Sequence, residues 1–432
     1  MRAHSFLVDS VRKLRIGGLT LYDFAFDKRN LSREFIRADL TANPQMVDEA
    51  HRRNLVESAQ AQAIAGLQNF SLSKTVLRGK SVYQLNRLEH DLVLRKFSRN
   101  IRRLTKVKQS DRNTIIKCLK RLLSEGHCFR VYKLDLRSFY ESIDRRDIER
   151  RLRQDNGLSP PTLHVFQSLS MQLDAANITG LPRGLAVSAV LSEYVMRRFD
   201  QNVKSMENVY YYARYVDDIV VITTGSENRK SFLKRVRKNL PSGIQLNNEK
   251  TKVIQFDLPK TKPARDGVEG NVDFLGYRFA VHRMLDKPVI RKVHADISPN
   301  KTTRLKTRIS LSALQFIKDG NFVDFFDRLR VLTGNYNVYD LERKIRRNVG
   351  IYYNYRFVDE GFSVALMELD DFLKKLLLAS SGKIGGQLNA MLSPKQKRQL
   401  LTLSFRRSFG SKCFYHFPIN RLTHLVGCWA YE

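Results

Sequence analysis

Two apolar runs, VYYYARY (residues 209–215) and IVVITTG (residues 219–225), are separated by Val216, Asp217 and Asp218 alone. Tyr- and Val/Ile-rich runs held that close together predict the two arms of a tight β-hairpin. Its tip must then hold two adjacent carboxylates. Asp is a favoured turn residue, because it tolerates unusual backbone angles and bonds its own backbone, so a turn without chemistry accounts for the pair equally well. What lies around the hairpin decides between these readings.

CFRVYKLDL (residues 128–136) reads as a strand ending near Asp135, and IDRRDIERRLRQ beyond it reads as a helix with Ile148 and Leu152 on one face. GLPRG (residues 180–184) is a turn opening a helix with Val187, Leu191, Val195 and Phe199 in one stripe. After the hairpin come a helix (SFLKRVRKNL), a turn at Pro241-Ser242-Gly243, a strand (KTKVIQF) and the strand-like NVDFLGYRFAV. This order predicts an α+β layer, an antiparallel sheet with helices on one face. Residues 1–75 and the chain from about Ser298 onward read as mostly helical, and Asn156-Gly157 punctuates a loop. If the strand ending at Asp135 neighbours the hairpin, Asp135 and Asp217 meet at one sheet edge.

Three carboxylates that close repel one another unless cations neutralise them. Hard divalent ions with oxygen ligands, Mg²⁺ above all, are the expected partners, and two such ions can drive an in-line phosphoryl displacement. The nine histidines are scattered, and the four cysteines (Cys118, Cys128, Cys413, Cys428) make no metal spacing and suit a reducing cytoplasm. The rest of the chain is strongly basic, with net charge +33, well above what solubility asks of a small domain. That excess fits a protein tracking a polyanionic backbone; no run is long enough to span a membrane, no amphipathic anchor stands out, and the first residues lack a signal-peptide core.

YVDD in a hairpin, preceded by DLRSFYESID and GLPRG and followed by LNNEKTKV and NVDFLGYRF, resembles the palm of a reverse transcriptase. The five signatures stand in that family's order, and the resemblance spans roughly residues 76–360. It implies a right-hand polymerase with fingers, antiparallel-sheet palm and helical thumb. The expected division is a helical extension over 1–75, fingers over 76–130 with part of 150–180, a palm over 131–292 and a thumb with a C-terminal helical region over 293–432. Asp135, Asp217 and Asp218 would hold two Mg²⁺ ions, with Mn²⁺ as a substitute, and the backbone carbonyl of Leu136 would be a further ligand. Lys250 would donate a proton to the pyrophosphate leaving group. Tyr140 occupies the steric-gate position under the sugar, which favours deoxynucleotides; Arg183, Gly184 and Ser188 would line the nucleotide site, with Gln the usual residue where Arg183 stands. Lys108 and Arg112 are the expected triphosphate clamp, and Phe274, Leu275, Gly276 and Tyr277 the primer grip.

In SPNKTTRLKTRISLSALQFI, Lys301, Arg304 and Arg308 fall on one helix stripe suited to a duplex backbone. The tyrosines of GNYNVYDLERKIRRNVGIYYNYRF suit base stacking or the thumb core equally. With no Cys/His nuclease tail, no second acidic cluster and no VTG after the palm lysine, the chain most resembles compact bacterial defence-associated reverse transcriptases. That resemblance implies a structured noncoding RNA as template and scaffold, dNTP substrates, a DNA product and antiphage defence. A group II intron-like or retron-like enzyme and a non-catalytic RNA-binding maturase stay open as alternatives.

Overall fold

Asp48 starts helix α1 (Glu49–Ala65) by accepting hydrogen bonds from the amides of Ala50 and His51, and Gly66, at φ +86°, ends it. In this computed structural model the described residues are 15–16, 19–20, 23–77, 79–154, 158–257, 267–282, 290–340 and 345–429. The amino-terminal stretch 1–14, the Asn156-Gly157 turn and residues 341–344 lie outside them. A hairpin of β1 (Leu72–Leu77) and β2 (Lys80–Leu85) follows, in a stretch where sequence periodicity gave no strand. Helices α2 (Leu88–Thr105) and α3 (Arg112–Leu122) then lead into the central sheet.

The sheet is built from β3 (Phe129–Asp135), then, after α4 (Arg145–Gln154), α5 (Pro160–Ala175) and α6 (Ala186–Lys204), from β4 (Val209–Tyr215) and β5 (Asp218–Thr223). Helix α7 (Arg229–Asn239) returns the chain to β6 (Lys252–Phe256). The strands run β4-β5-β3-β6 across the sheet, every pair antiparallel. That is the order read from the sequence with one helix added, α5, which falls between the two helices expected before the hairpin.

Both faces are covered, however, not one. Tyr132, Leu134, Ile219 and Val221 pack with residues of α4, α6 and α7, including Ile148, Leu191, Phe199 and Phe232. Their alternates Val131, Val220 and Ile222 pack with Ile115 and Leu119 of α3 and with a second sheet. A strand apolar on both faces reads as one continuous run, which is why IVVIT shows no alternation. Each side chain buried this completely stabilises the fold by about 1.5–3 kcal/mol, so the acids at the strand ends stand on a rigid base.

The second sheet comprises β7 (Val268–Phe274), β8 (Tyr277–His282) and β9 (Lys292–Ile297) in the order β9-β8-β7. Beyond it, α8 (Pro299–Asp319) and α9 (Phe322–Thr333) pack through Phe316 and Phe325, whose rings stack 5.0 Å apart. A further hairpin, β10 (Asn335–Asp340) and β11 (Ile345–Gly350), interrupts the region expected to be mostly helical. Helix α10 (Val364–Leu378) and shorter helices complete it, and the Trp429 indole donates to the Ser312 hydroxyl (3.1 Å), fixing this end of the chain on α8. No described helix is long and apolar enough to cross a membrane.

Candidate active site

Val216 and Asp217 make the whole turn between β4 and β5. Val216 sits at φ +58°, a strained setting for a β-branched residue. On the neighbouring strand Asp135 is paired directly with Asp218, and the Leu136 amide donates to the Asp217 carbonyl at 3.3 Å. Residues directly opposite in an antiparallel pair have Cβ atoms about 4.5–5.5 Å apart on one face. Backbone register alone therefore brings the three acids to one sheet edge, as the sequence reading expected.

Their electrostatics follow from that crowding. Burial first, then the neighbouring charge of Asp217 and that of Asp135, push the Asp218 carboxyl up to about 6, against the pull of Lys133 and Lys250. The Lys250 ammonium lies 3.5 Å from an Asp135 carboxylate oxygen while remaining largely exposed. Leu136 is buried, and its place between the amide bonds of Arg137 to Gln245 and Asn247 to Asp135 locks the backbone beside the acids.

Tyr140 is half-buried four residues further on, with the Ser192 hydroxyl beside its phenol; burial raises its hydroxyl above the ordinary range, so it is neutral. Arg183 does not stand free at the nucleotide site. Its guanidinium forks onto Glu141 (2.6 and 3.1 Å) and lies over the Tyr140 ring at 5.0 Å. The two glycines of the GLPRG turn permit close approach, but to protein rather than ligand. A Cβ on Gly180 would meet the Tyr140 carbonyl at 2.3 Å, and one on Gly184 the Tyr83 carbonyl of β2 at 2.4 Å. Ser188 is likewise committed: it is buried and donates to the Pro182 carbonyl at 2.7 Å.

A cleft of about 840 Å³ joins the aspartate turn to the Leu275-Gly276 turn and the start of α8, with Lys133, Lys252 and Lys301 in its wall. Leu275 and Gly276 link β7 to β8, both at positive φ (+46° and +84°), the geometry of a two-residue hairpin turn. Phe274 and Tyr277 are buried at its base. Arg112, expected in the triphosphate clamp, is bonded to protein in the structure. Its guanidinium donates to the Leu275 carbonyl from Nε (3.2 Å) and Nη2 (2.7 Å), donates to the Asn354 carbonyl from Nη1 (3.0 Å), and lies over the Tyr277 ring. Lys108 is exposed in the loop before α3. Lys301 faces the cleft, Arg304 lies further along α8, and Arg308 lies over the Trp429 ring at 5.6 Å, so the stripe is not uniformly open.

Sequence reasoning missed the buried cluster of Arg214 with Glu193 and Asp200 and the Glu141–Arg183 fork. A signal for the first was present: Glu193 and Asp200 are seven apart on one helix face, and an arginine inside an apolar strand needs a partner.

A hard divalent ion suits this donor set, since all the donors are oxygens and burial together with the other two acids disfavours the charge on Asp218 unless a cation is present. Among the described residues no three acidic, His or Cys side chains are drawn together into a preformed cage.

The fold is that of a right-hand polymerase, mixed helices around antiparallel sheets. Residues 71–279 match the family model described as "Reverse transcriptase (RNA-dependent DNA polymerase)". Residues 71–279 thus match a reverse transcriptase domain, a family of RNA-directed DNA polymerases whose members use divalent metal ions. No curated protein matches the sequence. Among solved structures, apo telomerase from Candida tropicalis is 10% identical at TM-score 0.36, covering 83% of this chain and 64% of that one. A form truncated of its C-terminal domain is 13% identical at TM-score 0.34, covering 49% and 53%, and the complex with a telomeric RNA fragment 11% identical at 0.32, covering 78% and 68%. The chain spans about half to two thirds of the length of these structures.

Proposed function

We propose that this protein copies a structured noncoding RNA into DNA, with Asp135, Asp217 and Asp218 as the acids of a Mg²⁺-dependent nucleotidyl-transfer site. The pairing of Asp135 with Asp218, beside Asp217, carries the reading. When bound there, a pair of Mg²⁺ ions would activate the primer 3′-hydroxyl and neutralise the leaving pyrophosphate, with Mn²⁺ able to replace them. Lys250, beside Asp135, is placed to hold a proton near the leaving group. Tyr140 restricts the sugar, with Arg183 and Glu141 holding its ring. The Leu275-Gly276 turn holds the primer terminus, and Lys301, Arg304 and Arg308 lie on the helix assigned to the duplex.

The division into an extension (1–75), fingers (76–130 with part of 150–180), palm (131–292) and thumb with C-terminal region (293–432) belongs to the same proposal. A role in antiphage defence rests on the resemblance to compact bacterial defence enzymes, and a cytoplasmic setting on the four free thiols. The test is to purify the protein, sequence the RNA that accompanies it, and supply Mg²⁺ with dNTPs. DNA complementary to one dominant structured RNA is the expected product; bound RNA with no DNA synthesis would favour the maturase alternative.

Two further outcomes are expected. Affinity for RNA should fall by about 10³–10⁵ between 50 and 200 mM salt, if six to ten phosphates are contacted; a flat binding isotherm midpoint across that range contradicts a backbone-tracking role. Arg112→Met removes charge-assisted bonds of about 1.5–3 kcal/mol from the primer-grip turn. It should raise the KM for primer–template several-fold and leave the dNTP KM within twofold, whereas a triphosphate clamp would show the opposite split.

A further inference from the structure

Arg214, 4% exposed, donates from Nε and Nη2 to Asp200 (2.9 and 2.8 Å) and from Nη1 and Nη2 to Glu193 (3.1 and 2.7 Å). A buried charge triad is weak as a stabilising device, because apolar side chains of equal volume often serve as well or better. One more bond distinguishes this one. Nη1 also donates to the Val216 carbonyl at 3.0 Å. Val216 is the β-branched residue at φ +58° that turns the chain into Asp217, a conformation that persists only where the surroundings over-determine it. The next carbonyl, that of Asp217, accepts from the Leu136 amide at 3.3 Å, so the turn is pinned from both sides.

Both carboxylates paired with the guanidinium stand on α6, seven residues apart. The same helix carries Ser192, beside the Tyr140 phenol, and the charge of Glu193 also acts on that phenol. We propose that Arg214 is a positioning residue that, through the Val216 carbonyl, fixes the aspartate turn in register with α6 and so sets the divalent-metal site and the gate on a common support. This rests on the polymerase reading above.

Arg214→Lys keeps a positive charge but loses the planar fork that reaches two carboxylates and a carbonyl at once. Glu193→Gln removes a buried charge while retaining Arg214, its fork with Asp200 and its donor to Val216. Three readouts separate positioning from plain stability: Mn²⁺ binding from loss of the free-ion paramagnetic resonance signal, the Mg²⁺ midpoint for dNTP incorporation on a primed RNA, and the Tm. Arg214→Lys should weaken Mn²⁺ binding and raise the Mg²⁺ midpoint at least fivefold, with excess Mg²⁺ restoring most of the rate and the dNTP KM within twofold. Glu193→Gln should lower the Tm with Mn²⁺ affinity within twofold of wild type. Unchanged Mn²⁺ affinity in Arg214→Lys, or an equal loss in Glu193→Gln, overturns the proposal. If Arg214→Lys does not fold, Glu193→Gln decides alone: a lower Tm with intact Mn²⁺ binding supports the role, and lost binding overturns it. A wild-type protein that incorporates no nucleotide defeats the polymerase reading, while the Mn²⁺ measurements still decide the role of Arg214.

Discussion

Replacing Asp217 and Asp218 together by asparagine is expected to abolish nucleotide incorporation while leaving the protein folded and RNA-bound. Metal-centred charge stabilisation supplies several kcal/mol of transition-state binding, and each 1.36 kcal/mol is tenfold, so the loss should exceed about 10³-fold. The same substitution should raise the Tm of the metal-free protein. Asp218 titrates at about 6 in the folded chain, against about 3.9 for an unperturbed Asp. Its folded pKa is raised, so the native state disfavours the charged form. The cost is absent below about pH 4, grows between pH 4 and 6, and is complete above, where two units correspond to about 3 kcal/mol. Melting in EDTA at pH 7.5 should therefore place the double variant above wild type, and Mg²⁺ should narrow the gap by stabilising wild type alone. A double variant that melts lower than wild type in EDTA, or that still incorporates dNTPs, contradicts the assignment.

The palm strands could be read because a hairpin of two apolar runs and a strand ending in Asp135 are local patterns, and local patterns fix register once the turn is two residues long. The hairpins β1–β2 and β10–β11 were not legible. The first is largely exposed, and its apolar residues (Leu72, Val76, Leu77, Val82, Tyr83, Leu85) do not alternate strictly with polar ones, so no strand period marks it. The second interleaves Tyr and Asn with Arg, a composition that serves helix or strand until tertiary packing chooses.

Side-chain partners were the harder part. Arg112, Arg183 and Ser188 carry the residue types of a nucleotide site, yet each spends its hydrogen bonds on protein, at Leu275, Glu141 and Pro182. Residue type gives the donor inventory; only the fold says where the acceptors are, over separations as long as the 163 residues between Arg112 and Leu275.

The Glu141–Arg183 fork gives the gate prediction its particular form. Tyr140 is held at ring and backbone: Arg183 lies over its ring, Phe139 is 5.3 Å away, and its main-chain carbonyl packs so close to Gly180 that no Cβ would fit there. A ring held this firmly cannot swing aside to admit a 2′-hydroxyl. Tyr140→Ala removes the obstruction, and discrimination between dNTP and rNTP should fall by about 10–200-fold, the range for a single steric contact in a pocket. The change should appear as higher kcat/KM for rNTPs on the same primer and RNA, with dNTP incorporation reduced far less. Arg183→Gln leaves the ring in place but removes its ion-paired cover, so discrimination should loosen by a smaller factor in the same direction. Measured side by side, the two variants separate a gate from an ordinary core aromatic. Loss of activity towards both nucleotide classes in Tyr140→Ala, with sugar preference unchanged, would place the tyrosine in the core and leave deoxynucleotide choice to other residues.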